Sequence, residues 1–157
     1  MDKYDIKILQ AIQNNGRISN KELAEEVNLS PAPCWRRMKQ LEQDGCIKRY
    51  TALLNHEKLG LAITAFAHVS LDNHHTNTVK SFDKAIMQWP EVQECHATSG
   101  GYDYLLKITT VDMNAYNYFL YDKLLKLKAI RSVNTSFSMV QKKVSTELSL
   151  LHLQDLK

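Results

Sequence analysis

The segment SPAPCWRRMKQLEQDG, residues 30–45, decides how the N-terminal part of this chain folds. Two prolines would break the interior of a helix, but they cost little in its first turn, where backbone N–H groups have no intrahelical acceptor. Ser30 is a suitable N-cap, and Gly45 is suited to the position that follows the last turn. The segment therefore predicts a helix that begins at its prolines.

The two sides of this predicted helix differ in chemistry. At about 100° per residue, Cys34, Met38 and Leu41 share an apolar side suited to packing. Trp35 and Arg37 flank the boundary between the two sides. The opposite side is small or polar and carries Ala32, Arg36, Lys39, Gln40 and Gln43. Taken alone, such a charged side is more simply a solvated helix surface than a binding face.

Two shorter helices are predicted before this one. The first has Asp2 as a candidate N-cap and ends at Gly16. The second begins at a capping box, in which Ser19 and Glu22 exchange side-chain and backbone hydrogen bonds. It runs to Val27, and Asn28 is one of the few non-glycine residues that tolerate the left-handed conformation needed to end it.

The residues after Gly45 complete a winged helix-turn-helix prediction. CIKRYTALL, residues 46–54, alternates in a way that suits a short strand or wing. Three short helices, a tight turn and a basic wing together favour DNA binding over a merely solvated surface, with the third helix in the major groove. Arginine and lysine contact phosphates and guanine, and glutamine pairs with adenine. The residues expected to meet DNA are Ser30, Ala32, Pro33, Trp35, Arg36, Arg37, Lys39, Gln40, Lys48 and Arg49.

Composition limits the remaining classes of function. The chain has 157 residues, 44% of them apolar and 24% charged, which is typical of a globular protein. No apolar stretch is long enough to span a membrane and no secretory signal is evident, so we expect a cytoplasmic, nucleoid-associated protein. The net charge of +3 is matched by the excess within residues 34–50 alone. Three cysteines without CxxC spacing argue against a disulfide framework or zinc ribbon.

No catalytic constellation or metal-ligand set is found, so we expect neither enzyme activity nor a cofactor. His74 and His75 are adjacent residues without a suitably spaced carboxylate or cysteine, and we interpret them as part of a solvent loop. Cys95 and His96 point to opposite faces of a predicted strand, which argues against a catalytic dyad.

The second half of the chain predicts a ferredoxin-like domain. Alternating or β-rich stretches predict strands at 63–71, 92–98, 103–111 and 130–139, and two apolar stripes at helical spacing lie between them. The order is β-α-β-β-α-β, so two helices cover one face of the sheet and the other face is free to pair with a second copy. The last segment, VSTELSLLHL at 144–153, is interpreted as an edge strand. The overall fold class is thus α+β.

The loop SGGYD, residues 99–103, has two interpretations. Gly100 and Gly101 can present backbone N–H groups to a carboxylate, and Asp103 can accept from an ammonium group, which together suit an amino acid. Gly-Gly followed by Asp is also ordinary hairpin chemistry, and the residues alone do not choose between a ligand site and a turn.

The chain as a whole resembles the Lrp/AsnC family of feast/famine transcription regulators. The resemblance rests on NGRISNKELAEEVNLSPAPC leading into RRMKQLEQDGCI, on YTALLN, and on ECHATSGGYDYLLKI. It implies a homodimer, often assembled into tetramers or octamers, that binds promoter DNA and senses an amino acid at subunit interfaces. Leucine, methionine, another branched amino acid or cysteine would all be compatible. The effector residues that it implies are Ala97, Thr98, Gly100, Gly101, Tyr102, Asp103, Met113, Ser136, Phe137 and Ser138.

These readings divide the chain into a DNA-binding domain at 1–50, a hinge at 51–60 and a sensing and assembly domain at 61–157. Two alternatives remain open. One is an amino-acid-binding module that regulates an enzyme by direct contact, which would have no need of an arginine-faced helix. The other is an architectural protein that compacts DNA with weak sequence preference, which a comparison of promoter and random duplex at one salt concentration would separate.

Overall fold

The structure is a computed structural model that describes residues 1–154, and these residues form two compact units. The first consists of Met1–Leu53 together with the described residues from Lys143 onward. The second consists of Leu54–Lys142. The sequence had assigned 143–154 to the C-terminal domain, whereas the structure packs this segment with the N-terminal helices.

Three helices form the N-terminal part of the first unit: α1 at Lys3–Asn14, α2 at Asn20–Glu26 and α3 at Pro31–Gln43. The predicted helix starts are confirmed. Asp2 accepts hydrogen bonds from the backbone of α1, and Ser19 and Glu22 form the expected capping box. Ser30 has the backbone conformation of an N-cap, although its side chain makes no capping hydrogen bond.

The turn residues predicted to end α2 and α3 are confirmed, whereas α1 ends at Asn14, two residues before the predicted stop at Gly16. Asn28 has a φ of 57° and Gly45 a φ of 73°, so each turns the chain through the left-handed region. These turns allow the three helices to close around one apolar core. Its buried members are Ile8, Leu9, Ala11, Leu23, Ala24, Val27, Cys34 and Leu41.

Of the two alternatives predicted for 46–54, a short strand or a wing, the strand is wrong, because this segment pairs with no other strand among the described residues. Side-chain and capping contacts hold it instead. The Ile47 N–H donates to the Leu41 carbonyl at 3.2 Å, and the Tyr50 hydroxyl donates to Glu42 at 3.0 Å. A strand requires a neighbouring strand with which to exchange backbone hydrogen bonds. These contacts instead hold the segment against α3, where it has no neighbouring strand.

The edge strand predicted at 144–153 is wrong as well. The segment is irregular up to a short helix, α6, at Leu151–Gln154. Gln13 of α1 binds it by accepting from the Leu148 N–H at 2.7 Å and donating to the Leu148 carbonyl at 3.3 Å. The side-chain amide thus satisfies the backbone groups that a neighbouring strand would have bound, while Leu150 packs on the helical core.

The second unit confirms the β-α-β-β-α-β prediction. Its strands are β1 at Ile63–Leu71, β2 at Val92–Ala97, β3 at Tyr104–Thr110 and β4 at Ile130–Phe137, arranged in the antiparallel order β2-β3-β1-β4. Helix α4 at Thr76–Ile86 and helix α5 at Met113–Tyr118 provide the connections. Helix α5 continues as a π-helical segment at Phe119–Leu124.

Both connecting helices pack on the same face of this sheet. Alternate residues of β1, from Ala65 to Leu71, are buried with Phe82 of α4 and Phe119 after α5. Trp89 closes this core through an edge contact with Phe119, at 5.3 Å between ring centroids. The opposite face of the sheet, which we call the open sheet face, carries Phe66, His68, Leu105, Lys107 and Ser136.

Candidate nucleic-acid interface and ligand loop

The structure confirms that α3 has an inner and an outer side. Cys34 is 0% exposed and Leu41 is 4% exposed, and both belong to the core of the first unit. Ala32, Trp35 and Arg36 are exposed. The outer side is therefore available to a partner along the first two turns of the helix, where residues of a recognition helix approach base edges.

Arg37 is bound within the first unit. Its Nη1 atom lies 2.8 Å from Asp2 Oδ2 and 2.8 Å from Asp5 Oδ1, and its guanidinium stands 5.5 Å from the Tyr4 ring centroid. The hydrogen bond to Asp5 raises the pKa of Arg37, and Asp2 adds to this effect. The network joins the start of α1 to α3, so Arg37 positions the helix; the phosphate contact predicted for it stays a prediction.

Two further polar residues of α3 have partners on their own helix or just after it. Lys39 Nζ lies 2.7 Å from Glu42 Oε2, and Gln40 Nε2 donates to Asp44 Oδ1 at 2.8 Å. The hydrogen bond from Lys39 lowers the pKa of Glu42. Such surface contacts are worth little in water, so both side chains can exchange them for a phosphate or a base.

The other basic residues predicted to meet DNA are Arg36, Lys48 and Arg49. All three are exposed, and none forms an ion pair with any residue in the part of the chain that the structure describes. Arg36 is thus the basic residue on the outer side of α3 whose charge is not already offset. This distinction among Arg36, Arg37 and Lys39 was not visible in the helical wheel, because it depends on residues of α1 and on side-chain conformation.

The loop at residues 98–103 joins β2 to β3 and is closed by local hydrogen bonds. The Thr98 hydroxyl donates to the Tyr102 carbonyl at 2.8 Å, and the Thr98 N–H donates to the Asp103 carbonyl at 2.9 Å. Gly100 has a φ of 125°, which a residue with a side chain rarely adopts, and both Gly100 and Gly101 face open space. The loop combines turn geometry with an unobstructed backbone that a small anion can approach.

Asp103 ties the loop to the end of β1. Its Oδ2 atom accepts from the Leu71 N–H at 2.7 Å, and its Oδ1 atom lies 2.7 Å from His74 Nε2. The hydrogen bond with His74, followed by that from Leu71, lowers the pKa of Asp103. The sequence placed His74 in a solvent loop and missed this contact, because nothing in the pattern relates residues 29 positions apart.

The other residues implied for the effector site do not all lie beside this loop. Ala97 ends β2 next to it, but Phe137 pairs with Ala65 near the start of β1, whereas Tyr104 at the loop pairs with Val69. Four residues of a strand span roughly 13 Å. Within one chain, the opposite end of the sheet from Asp103 therefore holds Met113, Ser136, Phe137 and Ser138.

No helix in the described part of the chain has the length and apolar character needed to cross a membrane. Likewise, residues 1–154 contain no group of three histidine, cysteine or acidic side chains placed to hold a metal ion. The two candidate sites are a basic helix surface and a glycine-rich loop.

Two family models match the chain, and together they cover most of it. A winged helix-turn-helix DNA-binding model matches residues 1–48, and the Lrp/AsnC ligand-binding domain matches residues 64–148. The leucine-responsive regulatory protein of Klebsiella pneumoniae is 40% identical over 148 residues, which are 94% of this chain and 90% of that protein.

Solved structures agree with these matches. A transcriptional regulator of Neisseria meningitidis, solved as a complex with L-methionine, superposes with a TM-score of 0.94 at 44% identity and covers 98% of this chain and 99% of its own. An AsnC family transcriptional regulator from Agrobacterium tumefaciens superposes with a TM-score of 0.91 at 37% identity, with coverage of 98% and 99%.

Proposed function

Because this chain belongs to the Lrp/AsnC family of transcription regulators, we propose that it controls genes of amino-acid metabolism as an oligomer whose DNA binding responds to an amino acid. The family shows that the protein is a DNA-binding regulator with a ligand-binding domain. The proposal adds the contacts, the effector and the assembly, and it locates the protein in the cytoplasm on the nucleoid.

The observation that carries the DNA-binding proposal is the uncompensated Arg36 on the outer side of α3. Helix α3 follows a tight turn at Asn28 and is held by the Arg37 network, so its outer side is presented on a rigid scaffold. Lys48 and Arg49 follow α3 in the chain and are exposed to reach phosphates. We infer that Arg36 contacts a base or phosphate and that Lys48 and Arg49 fix the register on the duplex.

Arg36→Ala should weaken binding to a duplex from the protein's own promoter region while leaving the melting temperature nearly unchanged. The side chain is exposed and unpaired, so its loss removes a DNA contact without a packing contact. A base-reading arginine is worth about 1 to 3 kcal/mol, or roughly 5- to 150-fold in affinity. The measurement is a binding titration at fixed salt, on promoter and random duplex, with thermal unfolding of the same sample.

Arg131→Ala is the matched control, since it removes an exposed arginine from the second unit. It should bind both duplexes as the wild type does. Equal affinity of the wild type and Arg36→Ala would remove this residue from the interface, and equal affinity for both duplexes would favour an architectural role.

We propose an amino acid as the effector and L-methionine as the first to test. The support is the ligand-binding family domain, the L-methionine complex of the Neisseria meningitidis regulator, and the open backbone at Gly100 and Gly101 beside the ionised Asp103. Leucine, other branched amino acids and cysteine are the next candidates. A thermal-shift screen ranks them, because a ligand that binds only the folded state raises its stability by mass action.

We also propose that the chain assembles through the open sheet face. Phe66 is 37% exposed there and lies opposite Lys107 and Ser136 on the neighbouring strands, while α4 and α5 occupy the other face. A sheet with an apolar residue at the centre of an uncovered face is suited to pairing with a copy of itself. The separation of Asp103 from Ser136 within one chain further favours an effector site completed by a second copy.

Phe66→Glu should reduce the mass of the full-length protein in light scattering, because it puts a charge at the centre of the proposed interface. The wild type should be a dimer or larger at the same concentration. Met87→Glu is the matched control, since Met87 is a highly exposed methionine at the end of α4. An unchanged mass for Phe66→Glu, or a monomeric wild type, would contradict this interface.

A further inference from the structure

A tryptophan is exposed on the outer part of α3. Trp35 is the fifth residue of the helix, and 52% of its surface is exposed. It makes no aromatic or cation-π contact within residues 1–154. Tryptophan buries more apolar area than any other side chain and is enriched where proteins bind partners. The indole is therefore a large apolar group left available on the helix that the proposed function places against DNA.

We propose that Trp35 reads thymine through its C5-methyl group in the major groove. This inference rests on the proposed DNA-binding function and names the base class that the helix selects. In a duplex the flat faces of the bases are stacked and hidden from a helix in the groove. The thymine methyl is the apolar group that base edges present there, and proteins recognise it by apolar contact.

The position of Trp35 on the helix supports this role. Residues near the start of a recognition helix contact base edges, and Trp35 lies in the second turn after Pro31. Ala32, three residues earlier, is exposed on the same side and extends the apolar surface by a methyl group. The two form a short apolar strip that occupies the outer side of α3 together with Arg36.

The ion pairs on α3 distinguish residues that position the helix from residues that are available to contact bases. Arg37 is bound by Asp2 and Asp5, and Lys39 is paired with Glu42. Trp35 and Arg36 have no such partner among the described residues. As neighbours on α3, Trp35 would recognise thymine by apolar contact and Arg36 would recognise a base by hydrogen bonds, commonly guanine.

The test uses full-length protein and a duplex that the wild type selects from a random pool of DNA at fixed salt. The same duplex is then made with deoxyuridine in place of thymidine, which removes the C5-methyl groups and keeps the base-pairing and acceptor pattern. The wild type should bind the uridine duplex about fourfold more weakly for each contacted methyl. Trp35→Ala should bind both duplexes with equal affinity, and Trp35→Phe should retain part of the preference.

Arg36→Ala is the control for specificity of the effect, since it should lower affinity for both duplexes and preserve their ratio. Thermal unfolding should show that Trp35→Ala is still folded at the assay temperature, because about half of the indole surface is already exposed in the folded protein. Equal wild-type affinity for the two duplexes overturns the inference and leaves DNA binding intact. An undiminished thymine preference in Trp35→Ala also overturns it, whereas a wild type that selects no duplex contradicts the proposed function itself.

Discussion

Leu41→Ala should lower the free energy of unfolding of the first unit by about 2 to 5 kcal/mol. Leu41 is 4% exposed and belongs to the core that α3 shares with α1 and α2. The substitution removes three carbon atoms and leaves a cavity that the surrounding helices fill only in part. The free energy of unfolding of a small domain is about 5 to 15 kcal/mol, so this one change should remove a large share of the stability that holds α3 in place.

The two tryptophans make the effect separable by unit. Trp35 lies on α3 and Trp89 packs on Phe119 in the second unit, so Trp89 emission in a Trp35→Phe background reports on the second unit alone. Urea unfolding followed by helical circular dichroism should show an earlier transition in Leu41→Ala. Leu53→Ala, at a leucine that is 69% exposed, is the control and should change stability by no more than about 0.5 kcal/mol. Equal transitions for both variants would show that Leu41 does not anchor the helix.

Asp103→Asn should weaken effector binding roughly 10- to 150-fold and abolish the effect of the amino acid on DNA binding. The change removes the charge that the proposal pairs with the effector's ammonium group, and a hydrogen bond to a charged group is worth about 1.5 to 3 kcal/mol. DNA affinity without effector should match the wild type, because Asp103 lies in the second unit and the proposed DNA contacts lie in the first.

The asparagine is chosen because Asp103 also has a structural role. Its Oδ2 atom accepts from the Leu71 N–H at 2.7 Å, and an amide oxygen can still do so. Asp103→Ala would leave that N–H without its partner and should in addition cost about 1 to 3 kcal/mol of stability. His74→Gln, which removes the imidazole and keeps the carboxylate, is the second control and should retain the effector response.

Calorimetric titration with L-methionine and a DNA-binding assay at fixed salt distinguish the two roles. If Asp103 serves only the turn, Asp103→Ala should lose stability while both variants keep the wild-type affinity for the amino acid. That outcome would leave the DNA-binding proposal untouched and remove Asp103 from the effector site.

Local signals along the chain were sufficient to predict most elements of both units. Capping groups at Asp2 and Ser19, the prolines that open α3 and the turn residues Asn28 and Gly45 each act within a few residues, so the sequence displays them directly. Burial periodicity in β1 and α4 likewise depends only on spacing. The same locality explains why no strand forms at 46–54 or 144–153, since an alternating pattern shows that a strand is possible but not that it has a partner.

The order of helices and strands, the apolar and polar sides of α3 and the family of the chain could therefore be predicted from residue types and their spacing. The folded structure was needed to show which basic residues are already paired, that Gln13 binds the C-terminal segment, and that His74 bonds to Asp103. These contacts join residues from 29 to 135 positions apart. They form because packing brings side chains that are distant in sequence within 3 Å of each other, and the spacing of residues along the chain does not predict which side chains meet.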